Sequence, residues 1–279
     1  MNFTRRIAAA ALTATLALPA VAHAAELRIG IMQAQAGDAK KYQPLLQYLT
    51  AKGVAASFVT APDYRAAADL FAAGKLDAMF SGSGIAGTMM IKGLADPVAR
   101  PVGDDGVSTY SAVVIAPSGA PKFDGSASYF DGKRVIFTAL ASAGEFYFHS
   151  PGSSKPASIL KAASHGAALD ALARGQADVA VVKNHVWTKE KAKYPGLALV
   201  GGDAGENPDN TLIVSKHVDA GTVKKIEAIL LGVEKDPGAA ALRDALKARR
   251  FVATNAKDFD HTLALLKKAN VGREFAFAY

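Results

Sequence analysis

Two stretches of this chain repeat one another at an offset of 101 positions, the distance from Asp77 to Asp178. The first copy is Asp63–Ser83, DYRAAADLFAAGKLDAMFSGS, and the second is Ser164–Asn184, SHGAALDALARGQADVAVVKN. Other aligned residues are Ala67 with Ala168, Phe71 with Leu172, and Gly74 with Gly175. A repeat at this distance limits the chain to folds that contain the same unit twice.

Each copy predicts a helix followed by a short strand. Asp63 and Ser164 are residue types that cap helix N-termini, and alanine-rich segments with an apolar stripe follow them. Gly74 and Gly175 end the predicted helices, because glycine takes the left-handed conformation without steric cost. A short apolar strand then closes each unit. Two such units predict two similar lobes with a cleft between them.

The first 24 residues have the pattern of a secretory signal peptide. Arg5 and Arg6 precede the apolar run Ala8–Leu18, and Ala22–Ala24 fits the small-x-small pattern of a cleavage site. We therefore expect residues 1–24 to be removed on export. The apolar run is short for a membrane span, so the sequence predicts a soluble periplasmic protein rather than an anchored one.

The composition argues against several functional classes. The chain has no cysteine, which removes disulfides, thiolate chemistry and a cysteine for lipid attachment. Its formal net charge of +7 falls to +5 when the two arginines of the leader are removed. The lysines are spread out and no aromatic residues interleave with them, so we predict no nucleic-acid groove. A mildly basic balance suits an anionic ligand.

Predicted strands and helices alternate along the chain, which is typical of an α/β fold with mostly parallel sheets flanked by helices. Thr109–Ala116 and Thr211–Val214 bracket the middle of the chain, and we predict that they cross between the lobes as two hinge strands. Beyond Val214 the pattern predicts helices alone. The expected boundaries are lobe I over residues 25–112, lobe II over 113–210, and the return of lobe I over 211–279.

Ligands of open α/β sheets bind beyond the carboxyl ends of strands, where helix N-termini also gather. Four predicted loops meet that description, and polar or small residues occupy them. The repeat adds the helix starts at Tyr64 and His165, and the predicted crossing strand adds Tyr110. The loop candidates are Gln33 after the first strand, Ser81, Gly82 and Ser83 after Phe80, Thr138 and Ser142 after Phe137, and Asn184 and His185 after Val182.

Two further motifs suggest other chemistry. Gly82–Gly87 matches the GxGxxG pattern of dinucleotide sites, but it follows the third predicted strand rather than the first. Glu145 and His149 are four residues apart on a predicted helix and could bind a metal together with His165 or His185. No set of nucleophile, base and acid stands out. We therefore predict a binding protein that is not an enzyme and needs no cofactor.

The helix–Gly–x–x–Asp–strand units resemble those of the periplasmic phosphonate-, phosphite- and phosphate-binding proteins of ABC importers. The resemblance rests on the two repeat copies and on TLIVSKHVDAGTVKKIEAIL, which begins at Thr211. It covers nearly all of Leu27–Ala269. It implies a two-lobed type II periplasmic binding fold that closes on a small oxyanion and delivers it to an ABC permease in the inner membrane.

The resemblance also implies roles for individual residues. His165, within Ser-His-x-Ala-Ala, corresponds to a histidine that contacts the ligand at a helix start. The family's hydroxyl cluster, typically Ser-Thr-Ser-Gly, falls on residues 141–144, where Ser142 and Gly144 keep its character. Two hydroxyl donors are therefore missing, and each hydrogen bond to a charged partner is worth about 1.5–3 kcal/mol.

These departures leave the ligand class open between three alternatives. The first is a small oxyanion such as a phosphonate, phosphite or phosphate. The second is a zwitterionic organic ligand, because Glu145 facing the cleft would add a wall that favours cations. The third is a metal or metal complex held by Glu145, His149 and His165. The partner is open between an ABC permease and a membrane histidine kinase, and the protein is expected to be a monomer.

Overall fold

A computed structural model describes residues 26–32, 38–138 and 143–276 of the chain. The predicted signal peptide, residues 1–24, lies outside the described residues. The strands in the described ranges are β1 (Leu27–Met32), β2 (Ala56–Ala61), β3 (Ala78–Ser81), β4 (Ala95–Val102), β5 (Thr109–Tyr110), β6 (Ala112–Pro117), β7 (Arg134–Thr138), β8 (Ser158–Ala162), β9 (Val179–Lys183), β10 (Leu197–Gly202), β11 (Asn207–Pro208), β12 (Thr211–Ser215) and β13 (Arg250–Ala253).

Helices alternate with these strands. The α-helices of the described residues are α1 (Gln43–Ala51), α2 (Tyr64–Ala72), α3 (Ser83–Ile91), α4 (Ala143–His149), α5 (His165–Ala173), α6 (Asn184–Glu190), α7 (Ala220–Leu231), α8 (Ala240–Leu246) and α9 (Asp260–Lys268). Short 3-10 helices cover Asp38–Tyr42, Ala127–Phe130, Lys191–Lys193, Pro237–Ala239 and Ala256–Phe259. Within the described ranges, no helix has both the length and the apolar character that a membrane crossing requires.

The strands form one sheet in each lobe. The sheet of lobe I has the order β13-β4-β12-β3-β1-β2, and the sheet of lobe II has the order β10-β6-β9-β7-β8. When the edge strand β13 is left out, the order β4-β12-β3-β1-β2 of lobe I corresponds to the order β10-β6-β9-β7-β8 of lobe II. The two-lobed α/β fold class is therefore confirmed. The prediction of helices alone beyond Val214 is wrong at β13, which pairs with β4 at the sheet edge.

Pairing within each sheet is mixed, whereas the sequence predicted mostly parallel sheets. β1 runs parallel to β2 and β3, and β7 runs parallel to β8 and β9. β12 and β6 run antiparallel to their neighbours on both sides. The chain enters β12 and β6 directly from the crossing segments, without the crossover helix that a parallel neighbour requires, and their direction is reversed.

The lobes are connected by two chain segments that pair as an antiparallel ladder of β5 and β11, in which Asn207 is opposite Tyr110. The predicted crossing strand Thr109–Ala116 is divided at Ser111, so that β5 crosses while β6 joins the sheet of lobe II. The other predicted crossing strand, Thr211–Val214, is part of β12 in the sheet of lobe I. The crossing on that side is made by β11 instead.

Both repeat copies begin and end as the sequence predicted. The side chains of Asp63 and Ser164 accept hydrogen bonds from the backbone N–H three residues further on, at 2.8 and 3.1 Å. Gly74 and Gly175 have φ angles of 68° and 71°, which a residue with a side chain adopts only with strain. The repeat in sequence is therefore a repeat in backbone conformation.

The aspartates of the two Gly-x-x-Asp motifs bind equivalent arginines on β1 and β7, the strands that pair with β3 and β9. Asp77 accepts bonds from the guanidinium of Arg28 at 2.7 and 2.8 Å and from its backbone N–H at 2.8 Å. Asp178 accepts bonds from the guanidinium of Arg134 at 2.7 and 3.1 Å and from its backbone N–H at 2.8 Å. Each pair fixes the loop before β3 or β9 to the neighbouring strand.

Removing the two aspartates should have unequal effects, because Asp77 is 15% exposed and Asp178 is 40% exposed. We expect Asp77→Ala to lower the free energy of unfolding by about 1.5–3 kcal/mol, as for a hydrogen-bonded charged group. Asp178→Ala should cost about 0.2–1 kcal/mol, because solvent screens its ion pair. Urea unfolding of both variants measures the difference, and equal costs would contradict the explanation from burial.

Apolar side chains also connect the lobes directly. Clusters of buried residues cover both faces of each sheet. Phe146 of α4, in lobe II, is 4% exposed and belongs to the lobe I cluster that contains Ile85 and Met89. Its ring centroid lies 6.4 Å from that of Phe275. The lobes therefore share an apolar contact in addition to the two crossing segments.

Candidate ligand-binding cleft

A cleft of about 1040 Å³ lies between the lobes, at the carboxyl ends of the parallel strands. This is the place where α/β sheets bind ligands. From lobe I its lining includes Lys41, Tyr42, Pro62, Asp63, Tyr64, Met79, Phe80, Gly82, Ile85, Asn210 and Lys247. The crossing strand and lobe II contribute Tyr110, Thr138, Ala162, Ala163, Ser164, His165 and Lys183.

The start of α3 faces the cleft from lobe I. Gly82 is the N-cap of this helix, and it offers no side chain to the N–H groups of the first turn. Free N–H groups and the helix dipole favour an anion at such a position. Ser83 is buried, and its hydroxyl lies 2.5 Å from the hydroxyl of Tyr110. This contact connects the helix start to the crossing strand β5.

Tyr64 begins α2 and lines the same wall of the cleft. Burial raises the pKa of Tyr64 to about 12, and the negative charge of Asp209 acts in the same direction. The hydroxyl therefore stays protonated at neutral pH and can donate a hydrogen bond to an anion. The preceding residue, Asp63, directs its carboxylate to the N-terminus of α2.

His165 begins α5 in lobe II, at the position that the repeat aligns with Tyr64. Its Nδ1 lies 2.8 Å from Oγ1 of Thr138. Burial lowers the pKa of His165 to about 3, and the positive charge of Lys183 lowers it in the same direction. The imidazole is therefore neutral at pH 7, with one N–H donor and one acceptor nitrogen. It can donate to an oxyanion without being charged.

Lys183 ends β9 and brings a positive charge to the lobe II wall. Its Nζ lies 2.6 Å from Oδ1 of Asp209 and 4.3 Å from the centroid of the Tyr110 ring. The side chains of the ion pair are 17% and 15% exposed. Asp209 follows β11 directly, so the ion pair joins lobe II to the second crossing segment. The next residue, Asn210, has φ of 45° and lines the cleft.

Asn184 and His185 begin α6, directly after Lys183 in the chain. Asn184 accepts a hydrogen bond from the backbone N–H of Ser111 at 3.2 Å and donates its own N–H to the Ser111 carbonyl at 3.0 Å. Nε2 of His185 lies 4.0 Å from Oδ2 of Asp209, and burial lowers the pKa of His185 against the effect of that carboxylate. Both residues therefore contact the crossing segments.

Comparison with known proteins shows which family the chain belongs to. One protein family, described as the phosphonate periplasmic substrate-binding protein of ABC transporters, has a model that matches residues 29–259. The chain belongs to this phosphonate-binding family. It is therefore the periplasmic substrate-binding component of an ABC transporter, and the family is not one of enzymes. No curated protein matches the chain at a significant level.

Solved structures show the same fold at low sequence identity. XAC2383 from Xanthomonas citri bound to ATP superposes with a TM-score of 0.69 at 17% identity, covering 88% of this chain and 96% of that one. PhnD1 from Prochlorococcus marinus in complex with methylphosphonate gives 0.65 at 17% identity, covering 88% and 98%. A binding protein component of an ABC phosphonate transporter from Pseudomonas aeruginosa gives 0.63 at 15%, covering 88% and 87%.

The candidates named from the sequence fall into three groups in this member of the phosphonate-binding family. Tyr64, Gly82, Tyr110, Thr138 and His165 line the cleft. Ser83, Asn184 and His185 are not among the residues that line it, and Ser81 is buried in the sheet opposite Thr211. The hydroxyls of Ser81 and Thr211 are without hydrogen-bond partners among the described residues. Gln33 and Ser142 lie outside the described residues.

Glu145 and His149, the candidate metal ligands, are absent from the residues that line the cleft. Glu145 is 1% exposed on α4, and its carboxylate opposes the lowering of the Lys161 pKa by burial. Burial and Lys161 also lower the pKa of His149. No group of three or more metal-ligating side chains occurs within the described part of the chain.

Sequence reasoning missed the ion pair of Lys183 and Asp209. Lys183 occupies the position that the repeat aligns with Gly82, so the offset of 101 could have indicated a residue at the carboxyl end of a central strand. Asp209 had no such signal, because its approach to Lys183 depends on the ladder of β5 and β11. Lys41 and Lys247 of lobe I, which also line the cleft, were missed as well.

Proposed function

We propose that this protein captures a phosphonate or a related small oxyanion in the cleft between its lobes and delivers it to the permease of an ABC importer. After removal of residues 1–24 it acts as a soluble monomer in the periplasm. The observation that carries the proposal is the convergence of hydrogen-bond donors from both lobes. The cleft places Tyr64 and the start of α3 on one wall and Thr138, His165 and Lys183 on the other.

These groups suit an oxyanion because every one of them can donate a hydrogen bond. The Tyr64 hydroxyl stays protonated, and the N–H groups at Gly82 carry the positive end of the helix dipole. When Thr138 donates to Nδ1 of His165, the imidazole proton lies on Nε2 and can point to the ligand. A tetrahedral anion has acceptor oxygens on several sides, so donors from two walls can bind it together.

Closure of the lobes links binding to delivery. The ladder of β5 and β11 is short, and short crossings allow two lobes to rotate as rigid bodies around a ligand. An oxyanion bound by both walls stabilises the closed arrangement, because only that arrangement brings all donors within reach. The permease can then distinguish the loaded protein from the empty one by the relative position of the lobes.

Calorimetry on ligand-free protein tests the proposal with methylphosphonate, 2-aminoethylphosphonate, phosphite and phosphate. We expect at least one of them to bind with a Kd of about 1 μM or below, equivalent to about −8 kcal/mol. His165→Ala should weaken that binding roughly 10- to 100-fold, the effect of losing one hydrogen bond to a charged group. X-ray scattering should show a smaller radius of gyration with ligand bound.

The matched control is His217→Ala. His217 is exposed beyond the C-terminal end of β12, whereas the cleft lies at the N-terminal end of that strand, where Asn210 lines it. This variant should bind as the wild type does. Failure of all four oxyanions to bind the wild-type protein would refute the proposed ligand class. Binding of a divalent metal in their place would instead favour a metal-binding role.

A further inference from the structure

We propose that Lys183 is the cation that binds the anionic group of the ligand, and that it exchanges its ion pair with Asp209 for one with the ligand. This inference rests on the proposed function and specifies the recognition step. It assigns Asp209 a role as the internal competitor for the ammonium group. The ion pair then reports whether the cleft is occupied.

The position of Lys183 supports a contact with the ligand. Its side chain lines the cleft on the lobe II wall, close enough to His165 for its charge to lower the pKa of that imidazole. In the repeat, Lys183 aligns with Gly82, and both residues are N-caps at the carboxyl end of a central strand. Lobe I therefore presents backbone N–H groups at the place where lobe II presents an ammonium group.

The contacts of the ammonium group leave it able to bind an anion. Nζ lies 2.6 Å from Oδ1 of Asp209 and above the ring of Tyr110, at 4.3 Å from its centroid. An ammonium group has three N–H donors, and a ring face holds it without taking a localised acceptor position. A phosphonate carries more negative charge than one carboxylate. Because the side chains of Lys183 and Asp209 have low exposure to solvent, a bound phosphonate should compete effectively with Asp209 for the Lys183 ammonium group.

The same ion pair bears on the hinge. The backbone N–H of Asp209 donates to the carbonyl of Ser108 at 3.0 Å, which places this residue within the paired crossing segments. Oδ2 of Asp209 lies 4.0 Å from Nε2 of His185. The carboxylate therefore still has His185 beside it when the ammonium group of Lys183 moves to the ligand. Without ligand, Lys183 holds the end of β9 to the second crossing. Exchange releases that restraint when the cleft is filled.

The experiment compares Lys183→Gln, Lys183→Arg and Asp209→Asn by calorimetry with methylphosphonate, 2-aminoethylphosphonate, phosphite and phosphate. Lys183→Gln should weaken binding of whichever oxyanion the wild type binds by tenfold or more, and Lys183→Arg should retain most of the affinity. Asp209→Asn should bind several-fold more tightly, because the competing carboxylate is gone. Lys189→Gln is the control, since Lys189 is exposed in the last turn of the same helix, α6.

Each outcome separates this inference from the proposed function. If the wild type binds none of the oxyanions, the proposed function fails and this inference fails with it. If the wild type binds and Lys183→Gln binds within twofold of it, this inference alone is overturned. If Asp209→Asn weakens binding as much as Lys183→Gln does, Asp209 positions the lysine and the exchange is overturned. Thermal unfolding of each variant checks that the fold is retained.

Discussion

Replacing Phe148 with alanine should lower the free energy of unfolding by about 3–5 kcal/mol, the cost of emptying a closely packed aromatic site. Phe148 is 1% exposed on α4, and its ring centroid lies 5.0 Å from that of Phe130 and 5.5 Å from that of Phe137. These rings fill the space between α4 and the sheet of lobe II. No neighbouring side chain can fill the cavity without leaving its own packing.

Urea unfolding measures this cost, and Phe123→Ala provides a comparison within the same cluster. Phe123 is partly exposed and packs at the edge of the aromatic group, 5.3 Å from Phe130. Phe123→Ala should lower the free energy of unfolding clearly less than Phe148→Ala does. A loss below about 1 kcal/mol for Phe148→Ala would show that lobe II repacks freely around α4.

Acid should destabilise the ligand-free protein through His165. Its pKa is about 3 in the folded state, against an ordinary value of 6.5. Between these two values the unfolded chain binds a proton that the folded protein does not bind, so the free energy of unfolding falls as pH decreases. The limiting slope for one group is about 1.4 kcal/mol per pH unit. We expect a loss of about 2 kcal/mol between pH 6 and pH 4, because the cleft exposes part of the ring to solvent.

Unfolding curves measured across this pH range for the wild type and His165→Gln test the expectation. Glutamine has no proton to gain, so the variant should show a shallower decline. The lowered pKa values of His149 and His185 leave it a residual slope of the same sign. Equal slopes for the two proteins would exclude His165 as the source. A bound oxyanion should reduce the wild-type slope, since an anion stabilises the protonated imidazole.

The repeat made much of the fold predictable because its signals are local. A cap at Asp63 or Ser164 and a turn at Gly74 or Gly175 depend on residues of the same helix or next to it in the chain. β13 was not predictable in this way. Its sequence, RFVA, is short and follows a helical pattern, and it becomes a strand because β4 offers an open edge.

The candidate cleft shows the same division between local and long-range information. Tyr64 and His165 reach it because they start the two repeated helices, and Thr138 because it ends a strand. Asn184 also follows a strand, yet its amide oxygen already accepts a hydrogen bond from the backbone N–H of Ser111. The ion pair of Lys183 and Asp209 requires two segments from different parts of the chain. Such a pair can be identified only when the structure of the two crossing segments is known.

The order of strands in the two sheets also sets an order of folding. Every strand of the lobe II sheet lies in one continuous stretch, from Ala112 to Gly202. The lobe I sheet is different, because β3 needs β12 as its neighbour, and β12 begins only at Thr211. In a chain that emerges from its N-terminus, lobe II can fold as soon as its last strand is available, whereas lobe I waits for the later residues. The long wait leaves the edge of β3 unpaired, so a chaperone that shields strand edges should aid lobe I more than lobe II.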